Sequence, residues 1–454
     1  MTGPTLAVAE PLWAELTQWL DDENEVAGVL TATWIDDDGG TTLLARHLER
    51  APSEAYDDRQ PDQLALRSSG WVPAVRAAAV AGEMAFFVHT HPGGTAEFST
   101  RDDHVDDELW APFTQLTSAP IYGALLLAGS PSCPQLAGRL RRADGSIQRL
   151  AKVRVVGDGL TIYQLDSNAP VDATHDRQIR ALGQQGQQVL ADLRVGIVGI
   201  GGTGSPIAEQ LIRLGVGTIV AIDDDTVTAS TVSRGYGSTS HDINRPKVEV
   251  LARHARTIGL GTNVVAVSGN LRQDPVARTL RHCDVVFCCV DGHAGRLVLN
   301  RWAYWHLAPV IDVAVLVTST AGHIDGIDGR ITWLAPGAAC LLCRGRVDPA
   351  LAQLEQLDPT ERRRLTEQGY APDLDEPQPS IVTYTTLMAG HATTELLNRL
   401  YGLADRSPTE LLFQLHARTT SMNRRQPRHE CFCANTDQWA QGTAEPYLDL
   451  TWTR

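Results

Sequence analysis

The segment from Leu193 to Ser205, LRVGIVGIGGTGS, limits the possible folds of this chain more than any other segment. It begins with a short apolar run typical of a buried parallel strand, and an amphipathic segment typical of a helix follows it. Between the two lie four glycines: Gly199, Gly201, Gly202 and Gly204. Glycines let backbone N–H groups approach a phosphate, and the helix dipole adds partial positive charge there. The segment therefore predicts a nucleotide-phosphate loop, a pattern that by itself also fits NAD and FAD sites.

Beyond this loop, strand-like and helix-like segments alternate along the chain. This alternation predicts an α/β fold with a doubly wound, mainly parallel sheet, whose site lies at the C-terminal ends of the strands. Asp223 ends the second predicted strand, 19 residues after Gly204. A carboxylate at that position can accept hydrogen bonds from ribose hydroxyls, which fits ATP and NAD equally well.

Three further residues favour ATP. Lys247 begins a predicted helix, Arg234 lies in the loop before it, and Asp291 ends the fourth predicted strand, where it can hold Mg²⁺. A hydride-transfer enzyme does not need such charges at the phosphates. An enzyme that cleaves between the α- and β-phosphates does need them, because negative charge moves onto the leaving pyrophosphate.

Together these motifs resemble those of the ThiF/MoeB/HesA family, the adenylation domain of ubiquitin-activating enzymes. Over about residues 175–435 the matching residues are Arg177 and Gln178, G-x-G-G-x-G at Gly199–Gly204, D-x-D-x-V at Asp223, Asp225 and Val227, Arg234, Pro246 and Lys247, and Asp291 with Arg296 and Asn300. The resemblance implies a Rossmann-like homodimer that uses Mg-ATP to adenylate a C-terminal carboxylate. The usual substrate is the Gly-Gly tail of a ubiquitin-like or sulfur-carrier protein.

The resemblance also implies individual roles for these residues. The four glycines and the two aspartates Asp223 and Asp225 bind the nucleotide, as do the catalytic residues Arg234, Lys247 and Asp291. Arg177 is also catalytic, since the arginine of this segment reaches the ATP phosphates, in dimers often from the partner subunit.

The sequence departs from the family pattern at two places. Thr231 stands where the family usually has an asparagine, and a threonine hydroxyl has less reach than an amide. No cysteine lies between Cys343 and Cys431, so the loop GYAPDLDEPQPSI lacks the thioester-forming residue of related activating enzymes. We therefore expect the acyl-adenylate to pass to an external nucleophile, supplied by a conjugating enzyme or a sulfur donor.

A second group of chemically active residues lies in the segment HTHPGGTAEFSTRDD. His89 and His91 alternate on a predicted strand and so project to one face, and Asp102 follows a glycine-rich loop. Two imidazoles and a carboxylate suit a catalytic zinc ion with an open fourth position. Ser99 lies three residues before Asp102 and is placed to hydrogen-bond a developing oxyanion.

This spacing resembles the JAMM metalloprotease motif, over about residues 10–155. The resemblance implies an α+β zinc-peptidase domain in which His89, His91 and Asp102 hold the zinc and Ser99 stabilises the tetrahedral intermediate. JAMM domains also carry an upstream glutamate as general acid/base, and Glu25 in the segment EVAGVL fits that position. The implied activity is processing or deconjugation of a ubiquitin-like protein tail.

Two close cysteine pairs predict a second metal site. Cys340 and Cys343 form a C-x-x-C knuckle, and Cys431 and Cys433 form a C-x-C pair. Both pairs fall where the ThiF family places a structural zinc ion, and a closed four-cysteine site stabilises a fold without taking part in chemistry. His429 is an alternative ligand to one of the second pair.

Composition excludes several classes of protein. With 43% hydrophobic and 20% charged residues, the chain is of ordinary globular composition. A net charge of −15 argues against a nucleic-acid partner or an acidic membrane surface. The sequence has neither a signal-peptide pattern nor an apolar run of membrane-spanning length, which predicts a cytoplasmic protein.

The predicted organisation of the 454 residues is a JAMM-like domain over 1–160, a linker and N-terminal arm over 161–192, a ThiF-like adenylyltransferase over 193–435, and a tail over 436–454. We expect a bifunctional enzyme that cleaves a ubiquitin-like tail and adenylates the C-terminus of such a protein. One alternative keeps the adenylation but takes a small peptide as substrate. Another is an NAD-binding oxidoreductase or a non-catalytic Rossmann scaffold.

Overall fold

A computed structural model describes residues 3–165, 173–368, 379–404 and 408–449. These residues form two compact units. The N-terminal unit holds the described residues up to 165 together with Asp437–Ala444, and the C-terminal unit holds the other described residues. In the described part of the chain, no helix is both long enough and apolar enough to cross a membrane.

The N-terminal unit is built on a nine-stranded mixed sheet with the order β11-β10-β1-β3-β2-β6-β7-β8-β9, and β4 and β5 form a separate hairpin. Its strands are β1 (Thr5–Ala9), β2 (Ala27–Asp37), β3 (Gly40–Arg50), β4 (Tyr56–Gln60), β5 (Gln63–Leu66), β6 (Met84–His91), β7 (Ile121–Ser130), β8 (Cys133–Arg142), β9 (Ile147–Arg149), β10 (Lys152–Val156) and β11 (Leu160–Gln164). Its helices are α1 (Glu10–Thr17), α2 (Val72–Ala81) and α3 (Thr100–Thr117).

Apolar side chains alternate across the sheet of this unit and build two cores. On β6, Val88 belongs to the core that contains Leu16 of α1, whereas its neighbour Phe87 belongs to the core that contains Val75 of α2 and Phe113 of α3. Successive strand residues point to opposite faces, so this sheet is covered by helices on both sides. The alternation also directs His89 and His91, at the end of β6, to one face.

The C-terminal unit is built on an eight-stranded sheet with the order β14-β13-β12-β15-β16-β17-β18-β19. Its strands are β12 (Arg194–Val198), β13 (Thr218–Asp223), β14 (Asn263–Ser268), β15 (Val285–Cys288), β16 (Val310–Thr320), β17 (His323–Leu334), β18 (Glu410–Gln414) and β19 (Thr419–Asn423). Its helices are α4 (Asp176–Asp192), α5 (Gly204–Leu214), α6 (Ala229–Val232), α7 (Lys247–Ile258), α8 (Asp274–Arg278), α9 (His293–Trp305), α10 (Leu341–Arg344), α11 (Pro349–Leu354), α12 (Pro359–Glu367) and α13 (Val382–Tyr401).

The predicted α/β fold is confirmed for the C-terminal unit, with a sheet that is mixed. Strands β14, β13, β12, β15 and β16 pair in parallel, and β17, β18 and β19 continue the sheet in antiparallel pairs. The chain leaves β12 toward β13 on one side and returns to β15 on the other side. Such a reversal of strand order opens a crevice at the carboxyl ends of β12 and β15, which is where this class of sheet binds ligands.

A short segment near the C-terminus, Asp437–Ala444, packs as part of the N-terminal unit. Arg46 of β3 donates hydrogen bonds to the Asp437 and Trp439 carbonyl oxygens and also pairs with the buried Glu83 carboxylate, 3.1 Å from Arg46 Nε. Thr33 Oγ1 of β2 donates to the Ala440 carbonyl oxygen at 2.7 Å. The unit is therefore completed by residues more than 270 positions beyond its last strand.

Truncation of the Trp439 side chain tests this completion of the unit. Because Trp439 is only 8% exposed, Trp439→Ala is expected to lower the free energy of unfolding of the N-terminal unit by about 3 kcal/mol. Hydrogen exchange of the full-length chain measures the effect as lost amide protection in β2 and β3. Thr436→Ala, at an exposed neighbouring position, is the control, and unchanged protection in the Trp439 variant would contradict the prediction.

Candidate functional site

The four glycines between β12 and α5, which we call the glycine turn, bring three backbone segments into contact. A Cβ atom on Gly204 would lie 1.8 Å from the Gly199 carbonyl oxygen, and one on Gly199 would lie 2.6 Å from the Cys289 carbonyl oxygen. Gly199 also has a φ of +90°, which favours glycine. By contrast, nothing lies within 4 Å of the corresponding position on Gly201. The turn is therefore tightly packed at its ends and open at Gly201, as close approach of a ligand requires.

Asp223, at the end of β13, contacts both the glycine turn and the Lys247 ammonium. Its side chain is 7% exposed and accepts hydrogen bonds from the Ile200 N–H at 2.6 Å and the Asp225 N–H at 2.8 Å. Lys247 Nζ lies 3.5 Å from Asp223 Oδ1 and 2.7 Å from Asp225 Oδ2. Burial raises the pKa of Asp223, and the Lys247 ammonium acts in the opposite direction. The structure thus brings these three predicted residues together at the turn.

Arg234 covers the other side of the turn. A Cβ atom on Gly202 would lie 3.2 Å from Arg234 Cδ, so the arginine stem runs directly over this glycine. Thr231, at the family's asparagine position, is 6% exposed, and its hydroxyl lies 3.0 Å from the Thr228 hydroxyl in a capping box of α6. The Thr231 hydroxyl therefore stabilises the loop that carries Arg234.

Asp291 follows β15 and is exposed, and its backbone carbonyl is fixed by a hydrogen bond. Arg296 donates to the Asp291 carbonyl oxygen at 3.1 Å, and its Nε lies 3.0 Å from Asp312 Oδ1. Arg330 donates to Asp312 Oδ2 at 2.6 Å. Burial alone would raise the pKa of Asp312, but the two arginines hold it below its ordinary value. The fully buried Asp312, paired with two largely buried arginines, thus supports a loop whose own Asp291 carboxylate is exposed.

Glu355 provides a second support for this loop. Its carboxylate accepts hydrogen bonds from the His293 N–H at 2.8 Å and the Ala294 N–H at 2.7 Å, and so caps helix α9 directly after Asp291. Sequence reasoning missed Glu355, Asp312 and Arg330. None of the three lies in a motif, and only the pairing of distant elements makes them neighbours.

Arg177 does not lie beside the glycine turn of its own chain. Its neighbour Gln178 donates to the Arg213 carbonyl oxygen at 2.9 Å. His175, two residues before Arg177, has a ring that lies 2.8 Å from the position of a Cβ atom built on Gly215. Both contacts are at the C-terminal end of α5, whereas the glycine turn is at the N-terminal end, about 16 Å away for a helix of this length.

Cys288 and Cys289, near the turn, lie in surroundings that disfavour a thiolate. Burial raises the pKa of Cys288 and of Cys289 above the ordinary thiol value, with the Asp312 carboxylate adding to the effect. Most of the loop GYAPDLDEPQPSI, where related enzymes carry a thioester cysteine, lies outside the described residues.

In the N-terminal unit the structure brings His89, His91 and Asp102 together in what we call the His-Asp cluster. His89 Nε2 lies 3.1 Å from Asp102 Oδ1, and His91 Nε2 lies 3.6 Å from Asp102 Oδ2. The Ser99 N–H and hydroxyl donate to Asp102 Oδ2 at 2.6 and 2.8 Å. Burial would raise the pKa of Asp102, but His89 and Ser99 hold it well below its ordinary value.

Glu25 lies next to the His-Asp cluster, just before β2. It is 7% exposed, and its Oε1 lies 3.9 Å from His91 Nε2. Arg59 donates to the Glu25 carbonyl oxygen at 2.8 Å, which fixes the backbone. Burial raises the pKa of Glu25 to about 7, although the His89 charge acts against it.

The chemistry of the His-Asp cluster fits a metal ion. Both ring nitrogens of His89 are buried without a well-aligned hydrogen bond, even though one lies close to Asp102. One ligand atom from each of the three residues lies within 4.8 Å of the others. Two imidazoles and one carboxylate are a three-ligand set of the kind that leaves one position of a zinc ion open.

The four predicted cysteines also meet, in what we call the four-cysteine cluster. Cys340 Sγ lies 3.5 Å from Cys431 Sγ, and Cys343 Sγ lies 3.6 Å from Cys433 Sγ. A tetrahedral zinc ion with Zn–S bonds of about 2.3 Å places its sulfur atoms about 3.8 Å apart, so the cluster fits zinc. His429, the alternative ligand, is exposed and is not part of the cluster.

Comparison with known proteins agrees with the motifs of the C-terminal unit. The ThiF family matches residues 175–435. The SAMP-activating enzyme E1 of Haloferax volcanii is 30% identical over 179 residues, which cover 38% of this chain and 63% of that protein. The Escherichia coli sulfur carrier protein ThiS adenylyltransferase is 36% identical over 151 residues, which cover 33% and 57% of the two chains.

The Escherichia coli molybdopterin-synthase adenylyltransferase is 31% identical over 178 residues, covering 38% of this chain and 68% of that protein. The first two relatives are thus matched over less than two thirds of their own length. Among solved structures, E. coli MccB with ATP is similar at a TM-score of 0.46 and 14% identity, covering 58% of this chain and 75% of that one. Because the ThiF family model matches more than half of this chain, the chain belongs to the ThiF family.

Proposed function

We propose that the C-terminal unit uses Mg-ATP to adenylate the C-terminal carboxylate of a ubiquitin-like or sulfur-carrier protein. The observation that carries the proposal is the pair of cations at the glycine turn, Lys247 beside Asp223 and Arg234 over Gly202. The names of the relatives, which include a SAMP-activating enzyme and a ThiS adenylyltransferase, support the same class of substrate.

In the proposed reaction, a carboxylate oxygen of the carrier bonds to the α-phosphorus of ATP. The bond from that phosphorus to the oxygen bridging the β-phosphate breaks, and pyrophosphate leaves. The N–H groups of the glycine turn bind phosphate, and Asp223 with Asp225 binds the ribose side of the nucleotide. Lys247 and Arg234 stabilise the charge that moves onto pyrophosphate, and Asp291 would hold Mg²⁺.

The acyl-adenylate then passes to a nucleophile from outside the chain. No cysteine occurs between Cys343 and Cys431, and Cys288 is fully buried. A conjugating enzyme or a sulfur donor would supply the thiol or sulfide that attacks the acyl carbon and releases AMP.

Loss of the Lys247 ammonium tests the adenylation. Lys247→Ala and Asp291→Ala are each expected to reduce ATP–pyrophosphate exchange with a Gly-Gly-ended carrier by about 10²–10³-fold, since each removes charge stabilisation at the phosphates. Arg256→Ala, at an exposed position of the same helix α7, is the matched control and should retain exchange.

The same measurement separates the alternatives. Exchange with short peptides but with no folded carrier would favour the small-peptide substrate. Absence of exchange with either class of substrate, together with NAD(H) in place of ATP or AMP in the mass spectrum of the purified protein, would reject adenylation.

We also propose that the enzyme acts as a homodimer whose sites are completed by Arg177 of the second copy. Arg177 lies beside the C-terminal end of α5, far from its own glycine turn. An arginine in this position can meet an ATP phosphate only at the site of another copy, unless α4 moves.

Mixing two inactive variants tests the shared site. When Arg177→Ala and Lys247→Ala chains are combined in equal amounts and allowed to exchange subunits, half of the dimers contain one intact site. We therefore expect recovery of about a quarter of the wild-type exchange rate. Arg180→Ala, at an exposed position of the same helix, is the control variant and should be active alone. Failure of the mixture to recover activity would place Arg177 outside a shared site.

For the N-terminal unit, we propose a JAMM-type zinc isopeptidase that removes or processes the same class of modifier. The His-Asp cluster with the buried Glu25 beside it is the observation that carries this proposal. His89, His91 and Asp102 would hold a zinc ion there, and that ion would supply the Lewis-acid chemistry that the scissile carbonyl and the attacking water need. Glu25 Oε1 would accept the proton of the attacking water and deliver it to the leaving nitrogen. The Ser99 hydroxyl, which donates to Asp102 Oδ2 in this structure, would turn to donate to the oxyanion.

Metal content distinguishes the two proposed zinc sites. We expect two zinc equivalents per wild-type chain, one per cluster, and one equivalent after His89→Ala, because the four-cysteine cluster is left intact. Elemental analysis of the purified chains measures both values. Glu25→Gln should keep both metals and lose the cleavage of ubiquitin-like fusions. Cleavage that survives both zinc chelation and Glu25→Gln would reject the zinc assignment.

A further inference from the structure

The carboxylate of Asp102 depends on where helix α3 begins. Asp102 lies in the first turn of α3, and its capping box with Ser99 fixes it to the helix rather than to the sheet. The segment before Ser99 forms no strand or helix and contains Gly93 with a φ of +68°. Because this segment is irregular, contacts from other elements help to hold the start of α3 close to His89.

Arg139 of β8 makes that contact. It is 15% exposed, and its Nη1 donates to Asp103 Oδ1 at 2.6 Å while its Nε donates to Asp106 Oδ2 at 2.6 Å. Asp103 and Asp106 lie in the first two turns of α3, directly after Asp102. The Tyr122 hydroxyl donates to the remaining Asp106 oxygen at 2.7 Å, so this buried carboxylate is fully paired.

Arg139 also contacts the residue that leads into the helix. Its guanidinium carbon lies 4.0 Å from the centre of the Phe98 ring, in the geometry of a cation–π contact. The Phe98 ring in turn lies 6.2 Å from the His89 ring, centre to centre. One side chain therefore holds both sides of the helix start, the aromatic residue before it and the carboxylates after it.

We propose that Arg139 is a positioning residue of the His-Asp cluster, which keeps Asp102 within ligand distance of His89 and His91. The inference rests on the metal site of the proposed function and adds to it a residue that touches neither metal nor substrate. Groups that hydrogen-bond directly to metal ligands change metal affinity by about 10–100-fold when they are removed. We expect an effect within this range for Arg139, which acts on Asp102 through Asp103, Asp106 and Phe98.

Arg141 offers a matched comparison on the same face of β8. It pairs with Asp107 of α3 and its guanidinium carbon lies 4.2 Å from the Trp110 ring centre, so it repeats both contacts of Arg139. Its partners lie farther along the helix from Asp102. Loss of Arg141 should therefore weaken the packing of α3 without moving the metal ligand.

The test titrates cobalt(II) into the zinc-depleted full-length chain. Cobalt in the four-cysteine cluster is identified by thiolate charge-transfer absorption, and cobalt in the His-Asp cluster by visible bands without it. Arg139→Met is expected to weaken binding at the His-Asp cluster by about 10–100-fold, with the four-cysteine cluster unchanged. Arg141→Met should change the affinity by less than about threefold, and Arg139→Lys should lie between wild type and Arg139→Met, since lysine keeps the charge without the fork.

A second variant covers the case in which Arg139→Met fails to fold because Asp106 is left buried and unpaired. Phe98→Leu keeps every ion pair of Arg139 and removes only the ring, and it should also weaken cobalt binding at the His-Asp cluster alone. Equal losses in the Arg139 and Arg141 variants would overturn the inference and leave Arg139 a purely structural residue. If the wild-type chain binds cobalt only at its cysteines, the proposed peptidase function falls first, and the inference falls with it.

Discussion

The turn between β12 and α5 has no room for a side chain at its two ends, and the proposed nucleotide site depends on that close approach. A Cβ at Gly204 would lie 1.8 Å from the Gly199 carbonyl oxygen. Because the strand and helix backbones meet so closely, the Ile200 N–H reaches Asp223 and the stem of Arg234 lies over Gly202. Backbone contact, rather than side-chain packing, therefore positions the groups that would meet a phosphate.

Around this turn, buried charges hold the backbone while the carboxylate offered to a ligand stays exposed. Asp312 is fully buried, and a charge in that environment is tolerated only when it is paired. Its partner Arg296 also holds the Asp291 carbonyl, so the pairing fixes the loop without occupying the Asp291 carboxylate. In the N-terminal unit, too, one carboxylate holds the structure and another is offered to a ligand. Asp106 pairs with Arg139, while Asp102 faces the histidines.

Residues that lie within one turn or one strand of each other were predictable from the sequence. The glycine turn has a local pattern, and the alternation of His89 and His91 follows from the period of a strand. The four-cysteine cluster joins pairs some 90 residues apart, and only their spacing and the family resemblance linked them. Arg139 and Asp312 could not be predicted, because an arginine or aspartate within a strand gives no sign of the helix or strand that it will pair with. The docking of the segment after Thr436 on the N-terminal unit was missed for the same reason.

On the proposed assignments, the two units act on the same C-terminal carboxyl group, which the first releases from an amide bond and the second joins to the α-phosphorus of ATP. Hydrolysis after a Gly-Gly tail yields an amine and a free carboxylate, and a free carboxylate is what adenylation consumes. Hydrolysis needs no ATP, whereas adenylation is driven by release of pyrophosphate, so a carrier freed by the first reaction can be activated again by the second. Because one chain carries both units, the two proposed activities are present in equal amounts. Covalent linkage also raises the local concentration of the freed tail near the second site. A chain of this kind could therefore both recycle a used carrier and process a newly made one. Both roles require a carrier whose tail is accepted by the two units.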